Sequence, residues 1–200
     1  MKKNIVILGG CVLLLSCATA AYCADGPYVS ANIGWAMAND SDISYTDPSD
    51  NGAIEYDTGL ALSGAVGYAT GNLRIEGEVG YQKNDYDKWS DPGGSWDASG
   101  DMRVLSFLAN GYYDFVNASA VTPYLSAGLG FADVEFNNPG HSADDTVFAY
   151  QVGAGVGFAV SKQVTIDLKY RFFATADPKF DDAEAECASH NIMLGLRYSF

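Results

Sequence analysis

Seven charged residues stand at alternate positions of otherwise apolar segments, and no other pattern in the chain is better placed to carry chemistry. Alternate side chains of an extended strand share one face, so these charges are expected to point to one side of a sheet. Charged groups that leave water must be paired. The pattern fits either a plug of salt bridges or a charge-lined path for ions. The residues are Arg74, Glu76, Glu78, Asp167, Lys169, Arg171 and Arg197.

The two histidines are the other residues that could take part in a reaction. His141 stands beside Ser142 and near Asp145, and His190 follows Ser189. A nucleophile, its base and the group that orients the base need a fixed mutual geometry, which neighbours in one polar segment rarely keep. We therefore expect no catalytic residue and no enzyme. The chain has neither a C-x-x-C pair nor a D-x-D-x-D-G loop, so we expect no metal and no cofactor.

The elements that position the seven charges are extended strands, because apolar and polar residues alternate with period two in eight separate segments. In the third segment, Leu73, Ile75 and Val79 share one face, while Arg74 and Glu76 share the other. The segments run approximately over Tyr28–Met37, Gly59–Tyr68, Leu73–Gln82, Arg103–Phe115, Tyr124–Phe136, Phe148–Val160, Val164–Phe173 and His190–Phe200.

The connections between these segments alternate between short and long. Short turns are expected near 70–72, 117–119 and 161–163, and long polar loops over 38–56, 84–101, 137–146 and 174–188. Bacterial outer-membrane barrels have short periplasmic turns and long extracellular loops. The sequence therefore predicts an all-β fold: an eight-stranded antiparallel up-and-down transmembrane β-barrel with short periplasmic turns and four long extracellular loops.

A soluble β-sandwich is the competing fold, and two features favour the barrel. Glycines fill the polar face of the fifth and sixth segments, where a narrow barrel needs room for side chains from other strands: Gly128, Gly130, Gly153, Gly155 and Gly157. Aromatic residues lie near the strand ends, as in the girdles of membrane barrels. The predicted girdle is Trp35, Tyr68, Tyr81, Tyr113, Phe158 and Phe172.

Composition and the first residues indicate where the protein works. Carboxylates outnumber basic residues 25 to 11, which argues against nucleic acid as a partner. Lys2 and Lys3 precede an apolar stretch and a run of small residues, the pattern of a secretory signal peptide. We predict a signal peptide over 1–24 and one barrel domain over 25–200. Lipidation at Cys17 is an alternative, and the sequence assigns no role to Cys187.

Several segments resemble the opacity-type, OmpA-like family of small outer-membrane surface antigens. Residues 123–130 (PYLSAGLG) are similar to the P-Y-x-x-A-G-x-G strand of those proteins, and 148–157 (FAYQVGAGVG) resemble their next strand. Residues 109–115 (ANGYYDF) resemble their fourth strand. The segment 194–200 (LGLRYSF) resembles the carboxyl-terminal signal that the barrel-assembly machinery reads. By that resemblance the signal residues are Leu194, Leu196, Tyr198 and Phe200.

The expected function follows from fold and charge together. We predict an outer-membrane scaffold that displays acidic loops for adhesion, as a surface antigen or for envelope integrity. A narrow porin is the alternative, and a barrel enzyme a remote one. Expected partners are outer-membrane lipid and lipopolysaccharide, the barrel-assembly machinery, and a host or extracellular ligand at the loops.

Overall fold

The computed structural model describes residues 25–39, 41–45, 52–91, 94–97, 99–138, 141–176, 179–180, 183–185 and 187–200. The predicted signal peptide lies outside these residues and stays a prediction. Within the described ranges, no helix is long and apolar enough to span a membrane. The strands there are β1 (Gly26–Ala38), β2 (Ser41–Tyr45), β3 (Gly52–Tyr56), β4 (Gly59–Thr70), β5 (Leu73–Asp91), β6 (Gly94–Asp97), β7 (Asp101–Asp114), β8 (Val121–Asn138), β9 (His141–Ala159), β10 (Val164–Thr175), β11 (Lys179–Phe180), β12 (Ala183–Ala185) and β13 (Ala188–Ser199).

Eight long strands close into one antiparallel barrel, in which each strand pairs with its neighbours in chain order. The order is β1, β4, β5, β7, β8, β9, β10 and β13, and β13 returns to pair with β1. β5 also pairs with β7, with Leu73 opposite Tyr113, so the ring of eight strands is closed. The predicted eight-stranded antiparallel barrel is confirmed, and each predicted segment overlaps one of these strands.

The segments predicted as long polar loops contain further strands. β5, β8 and β9 run on well beyond their predicted ends, and the short strands form a second sheet in the order β11, β12, β2, β3, β5, β6. On β5 the alternation continues, with Lys83 and Asp85 outward and Asn84 and Tyr86 buried. This extension was not predicted, because outward residues above a membrane face water and are polar, so the apolar outer face that marks a membrane strand is lost.

The three short turns lie where the sequence predicts them, and each has its own local cause. Gly71 adopts a φ of 56° between β4 and β5, a conformation that favours glycine. The Asn117 side-chain oxygen accepts a hydrogen bond from the Ser119 amide at 2.7 Å, and the Ser161 hydroxyl accepts one from the Val164 amide at 3.0 Å. Side-chain bonds of this kind stabilise tight turns.

An apolar band covers the outward face of the barrel. On β5 it runs from Leu73 to Tyr81, about the length that a tilted strand needs to cross a bilayer. The band ends abruptly on its extracellular side, where Tyr81 is followed outward by Lys83 and Phe131 by Asp133. Outward apolar residues in the band include Ile33, Val66, Ile75, Phe107, Leu129, Val152, Leu168 and Leu194.

Inward glycines make room for large side chains from neighbouring strands. A Cβ on Gly155 would lie 2.5 Å from the ring of Tyr124, and one on Gly67 would clash with the ring of Tyr28. Both tyrosines are almost fully buried. Large inward side chains of one strand therefore lie over glycines of the next strand, and together they fill the narrow interior.

We predict that Gly155→Val destabilises the folded barrel by about 1–3 kcal/mol, because the new side chain overpacks the interior at Tyr124. The free energy of unfolding in urea measures this cost. Gly111→Val is the matched control, since a Cβ there meets nothing within 4 Å. Equal stability of the two variants would contradict the tight interior packing.

Candidate functional site

The barrel interior is the candidate site, because the structure brings all seven alternating charges into it. Each of the seven is at most 7% exposed. They lie in two layers, one near the periplasmic end around Arg74 and one in the middle around Glu78. The sequence gives the face on which each charge lies, and the structure adds the partners.

Arg74 is held by a carboxylate that the sequence analysis missed. Its Nε and Nη2 donate to the two carboxylate oxygens of Asp114 at 2.7 and 2.8 Å. The guanidinium carbon also lies 4.2 Å from the ring centre of Tyr112 and 4.9 Å from that of Tyr124. A two-point ion pair between aromatic faces is a strong and directional contact. Asp114 follows Tyr112 on the same inward face and lies inside the predicted segment Arg103–Phe115, so following the alternation to the end of that segment would have found it.

Glu76 lies in the same layer and accepts hydrogen bonds from phenol groups. The Tyr112 hydroxyl donates to its Oε1 at 2.6 Å, and the Tyr28 hydroxyl donates to its Oε2 at 2.9 Å. Close by, Arg197 Nη2 lies 3.3 Å from Asp167 Oδ1. The periplasmic layer thus contains two ion pairs and one carboxylate bound by tyrosines.

Glu78 forms the centre of the middle layer and has two cationic partners. Arg171 Nη1 donates to its Oε1 at 3.0 Å, and Lys169 Nζ lies 3.5 Å from its Oε2.

Gln151 and Asn110 join this layer to the periplasmic one. Arg171 Nη1 donates to Gln151 Oε1 at 3.2 Å, and Gln151 Nε2 donates to the Asn110 side-chain oxygen at 2.7 Å. Asn110 Nδ2 in turn donates to Glu76 Oε1 at 3.5 Å. The two layers therefore form one network.

The charges inside the described barrel balance. Four buried cations (Arg74, Lys169, Arg171, Arg197) meet four buried anions (Glu76, Glu78, Asp114, Asp167). The seven residues taken from the sequence gave an excess of one cation, and Asp114 removes it. A lumen of zero formal charge does not need mobile counterions.

A polar and then an apolar layer close the extracellular half of the lumen. The Ser189 hydroxyl donates to the Gln82 side-chain oxygen at 3.0 Å, and Gln82 donates to Asn84 at 2.9 Å. The space between Gln82, Ser106 and Arg171 is too small for a water molecule. Above it lies an apolar plug made of Tyr86, Met102, Val104, Leu108, Ala132, Val134, Phe136, Ala149, Phe173 and Cys187.

The plug places Cys187 and Tyr86 away from solvent. The Cys187 Sγ lies 3.9 Å from the Met102 Sδ, and burial raises the pKa of the Tyr86 hydroxyl. Sequence periodicity did not reveal the plug, because apolar residues on both faces of β7 and β8 blur the alternation. The interior is therefore polar from the periplasmic end to the middle of the barrel and apolar near the extracellular end.

The predicted girdle and carboxyl-terminal residues all lie on the outward face. Trp35 is 67% exposed and Phe200 is 70% exposed. The other girdle residues, Tyr68, Tyr81, Tyr113, Phe158 and Phe172, also point outward, as do Leu194, Leu196 and Tyr198. Their roles in lipid anchoring and in assembly stay predictions.

The histidines do not form a catalytic set among the described side chains. His190 points outward, and its Nδ1 lies 2.7 Å from the Tyr170 hydroxyl. The Ser189 hydroxyl points into the lumen, where it bonds Gln82. The two neighbours thus lie on opposite sides of the barrel wall. The His141 and Ser142 side chains lie outside the described ones.

Comparison with known families gives one match over most of the chain. The family described as the outer membrane protein beta-barrel domain matches residues 9–200. Among solved structures, Neisserial surface protein A (NspA) superposes with a TM-score of 0.61 at 24% identity, covering 88% of this chain and 97% of that one. This likeness agrees with the fold.

Two curated relatives are, by name, an outer-membrane protein and an adhesin. Outer membrane protein PagN of Salmonella typhimurium is 33% identical over 50% of this chain and 51% of its own. RC1281 of Rickettsia conorii, a candidate adhesin by name, is 28% identical over 68% of this chain and 65% of its own. The matches thus cover between half and two thirds of the relatives' own lengths.

We predict that Asp114→Asn destabilises the folded protein by about 3–5 kcal/mol, because it leaves the buried Arg74 guanidinium without its counter-charge. Urea unfolding in lipid vesicles measures the change. Asp85→Asn is the matched control: it breaks a 2.8 Å pair with Lys83 at the exposed extracellular end. Pairs of that kind contribute at most about 1 kcal/mol. Similar costs for both variants would contradict the assigned role of the buried pair.

Proposed function

This chain belongs to the outer membrane β-barrel domain family, and from that premise we propose that it is a sealed scaffold. It is a surface protein of the bacterial outer membrane. In the proposal, the filled barrel anchors and stiffens an acidic extracellular structure, and that structure binds a basic partner outside the cell. The observation that carries the proposal is the balanced, close-packed lumen, which leaves the exterior as the place of function.

The extracellular part of the barrel is suited to display because it is built from paired strands. β8 and β9 pair without interruption from Val121–Phe158 to Asn138–His141, far beyond the apolar band. β12 of the last connection pairs with β2 of the first, so separate connections share one sheet. Ordered strands lose less entropy on binding a partner than flexible loops do.

Charge indicates the chemistry of the partner. The outward face of β8 and β9 is acidic above the apolar band, where it carries Asp133, Glu135 and Asp144. The whole chain has a formal net charge of −14. Such a surface attracts basic protein segments and repels polyanions. The name of the Rickettsia relative supports adhesion as the general role.

A narrow porin is the alternative, and the lumen argues against it. Ion transport through eight strands would need water beside Glu78 and Arg171, whereas those groups bond each other at 3.0 Å. The apolar plug adds a second barrier, since charged groups gain no partners there. We also propose that the protein is not an enzyme, because Ser189 and His190 point to opposite sides of the wall.

We predict that protein in lipid nanodiscs binds a polylysine-coated sensor and does not bind a heparin-coated one. The combined substitutions Asp133→Asn, Glu135→Gln and Asp144→Asn should weaken polylysine binding about tenfold, because three outward charges of the acidic face are lost. Binding should also fall with added salt.

Asp25→Asn is the control for this experiment, because Asp25 is exposed at the periplasmic end and bonds the Gly71 amide. It should leave polylysine binding unchanged. Binding to heparin instead of polylysine, or no effect of the triple substitution, would contradict the proposed acidic display.

A further inference from the structure

Two sulfur atoms lie side by side in the apolar plug, at the extracellular end of the lumen. The Cys187 thiol donates to the Met102 Sδ, and the two sulfurs are 3.9 Å apart. Cys187 is 5% exposed and Met102 is 3% exposed. The residues are 85 positions apart in the chain, so no sequence motif reveals the pair. Thiolate and thioether sulfurs are the ligands that select Cu⁺ and similar soft metal ions.

Two buried hydroxyl groups beside these sulfurs have no hydrogen-bond partner within the described part of the chain. They belong to Tyr86 and Thr175, each 7% exposed. The Thr175 amide donates to the Cys187 carbonyl oxygen at 3.0 Å. Burial raises the pKa of the Tyr86 hydroxyl, and the charges of Asp101 and of a Cys187 thiolate add to this effect, so that hydroxyl lies near the sulfur. Buried polar groups without partners are rare in folded proteins, and a bound water or ion is a common cause.

The separation of the sulfurs suits a metal ion that is bonded to both. Metal–sulfur bonds are about 2.3 Å long. An ion bonded to two sulfurs 3.9 Å apart then has an angle of about 115° between its two bonds. This angle is close to that of trigonal coordination, which leaves a third position for an oxygen ligand.

We propose that Cys187 and Met102 bind one soft monovalent metal ion of the class of Cu⁺ and Ag⁺. The ion replaces the thiol proton: a sulfur–metal bond forms, the S–H bond breaks, and the proton passes to water. The oxidation state of the metal does not change. The thiolate and the ion neutralise each other, and a neutral unit is stable in an apolar plug. A divalent ion would leave a net positive charge there, and the lumen stays sealed with the monovalent ion bound.

Silver is the probe for the test, because Ag⁺ is soft and monovalent and is not oxidised in air. Protein purified from outer membranes is mixed with silver nitrate in chloride-free detergent solution, and bound ions are counted by native mass spectrometry. We expect the wild-type protein to bind one ion that Cys187→Ser does not bind, with a mass gain of one silver ion less one proton. Equal silver binding by the two folded proteins would overturn the proposal.

Zinc tests the charge argument in the same experiment. Zn²⁺ in place of Ag⁺ should show no difference between the wild-type protein and Cys187→Ser, because the plug does not stabilise the second positive charge. Zinc binding that depends on Cys187 would contradict the assignment to a monovalent ion.

Methionine variants test the thioether ligand. Met102→Leu removes the sulfur and should weaken silver binding at least about tenfold, since loss of even an outer-shell partner costs metal sites about 10–100-fold in affinity. Met193→Leu is the matched control: Met193 is also buried, but it packs with Ala36 and Ala61 in a separate cluster. Leucine and methionine replace each other well in cores, so both variants should fold, and a gel comparing boiled and unboiled samples checks this. Equal silver affinity of the two variants would show that Met102 is not a ligand and would overturn the proposal.

Discussion

Charge balance in a space without bulk water is the constraint on which the rest of this structure depends. Four cations and four anions fill the described lumen, and a charge left without a partner there would cost several kcal/mol. This requirement fixes which side chains face inward, and therefore the register of the strands that carry them. The Arg74–Asp114 pair joins the consecutive barrel strands β5 and β7. Where β13 returns to β1 and closes the barrel, Arg197 of β13 lies 5.8 Å from the ring centre of Tyr28 on β1. The buried charges therefore make contacts across strands and also across the closing pair.

The filled interior also determines what the two remaining surfaces can do. The lumen is filled by ion pairs and hydrogen bonds in its periplasmic half and by the apolar plug near its extracellular end. Binding of proteins and lipids is therefore confined to the lipid-facing wall and the extracellular strands. The wall contains the apolar band and, at its upper edge, Lys83 and Arg103. The extracellular strands contain most of the acidic excess. The wall meets membrane lipid, and in the proposal above the extracellular strands meet an external ligand.

Much of this architecture follows from the sequence, because period-two alternation assigns a face to every residue of a membrane strand. The eight strands, the short turns and the inward position of Glu78 were predicted in this way. Partners were not, since a contact such as Lys169–Glu78 joins residues 91 positions apart and depends on how the barrel closes. Asp114 could have been found by following the alternation to the end of its predicted segment. The plug could not, because apolar residues lie on both faces of β7 and β8 at that level. The extension of β5, β8 and β9 could not, because the outward residues above the apolar band are polar.

Single-channel recording in a planar bilayer tests the sealed lumen most directly. The structure predicts that the refolded protein inserts and stays silent at moderate voltage, because no water path passes Glu78, Arg171 and the plug. Glu78→Gln should not produce steady openings while Lys169 and Arg171 keep filling the lumen. Stable conductance steps from the wild-type protein, with a size or ion selectivity that Glu78→Gln changes, would contradict the scaffold and establish a channel instead.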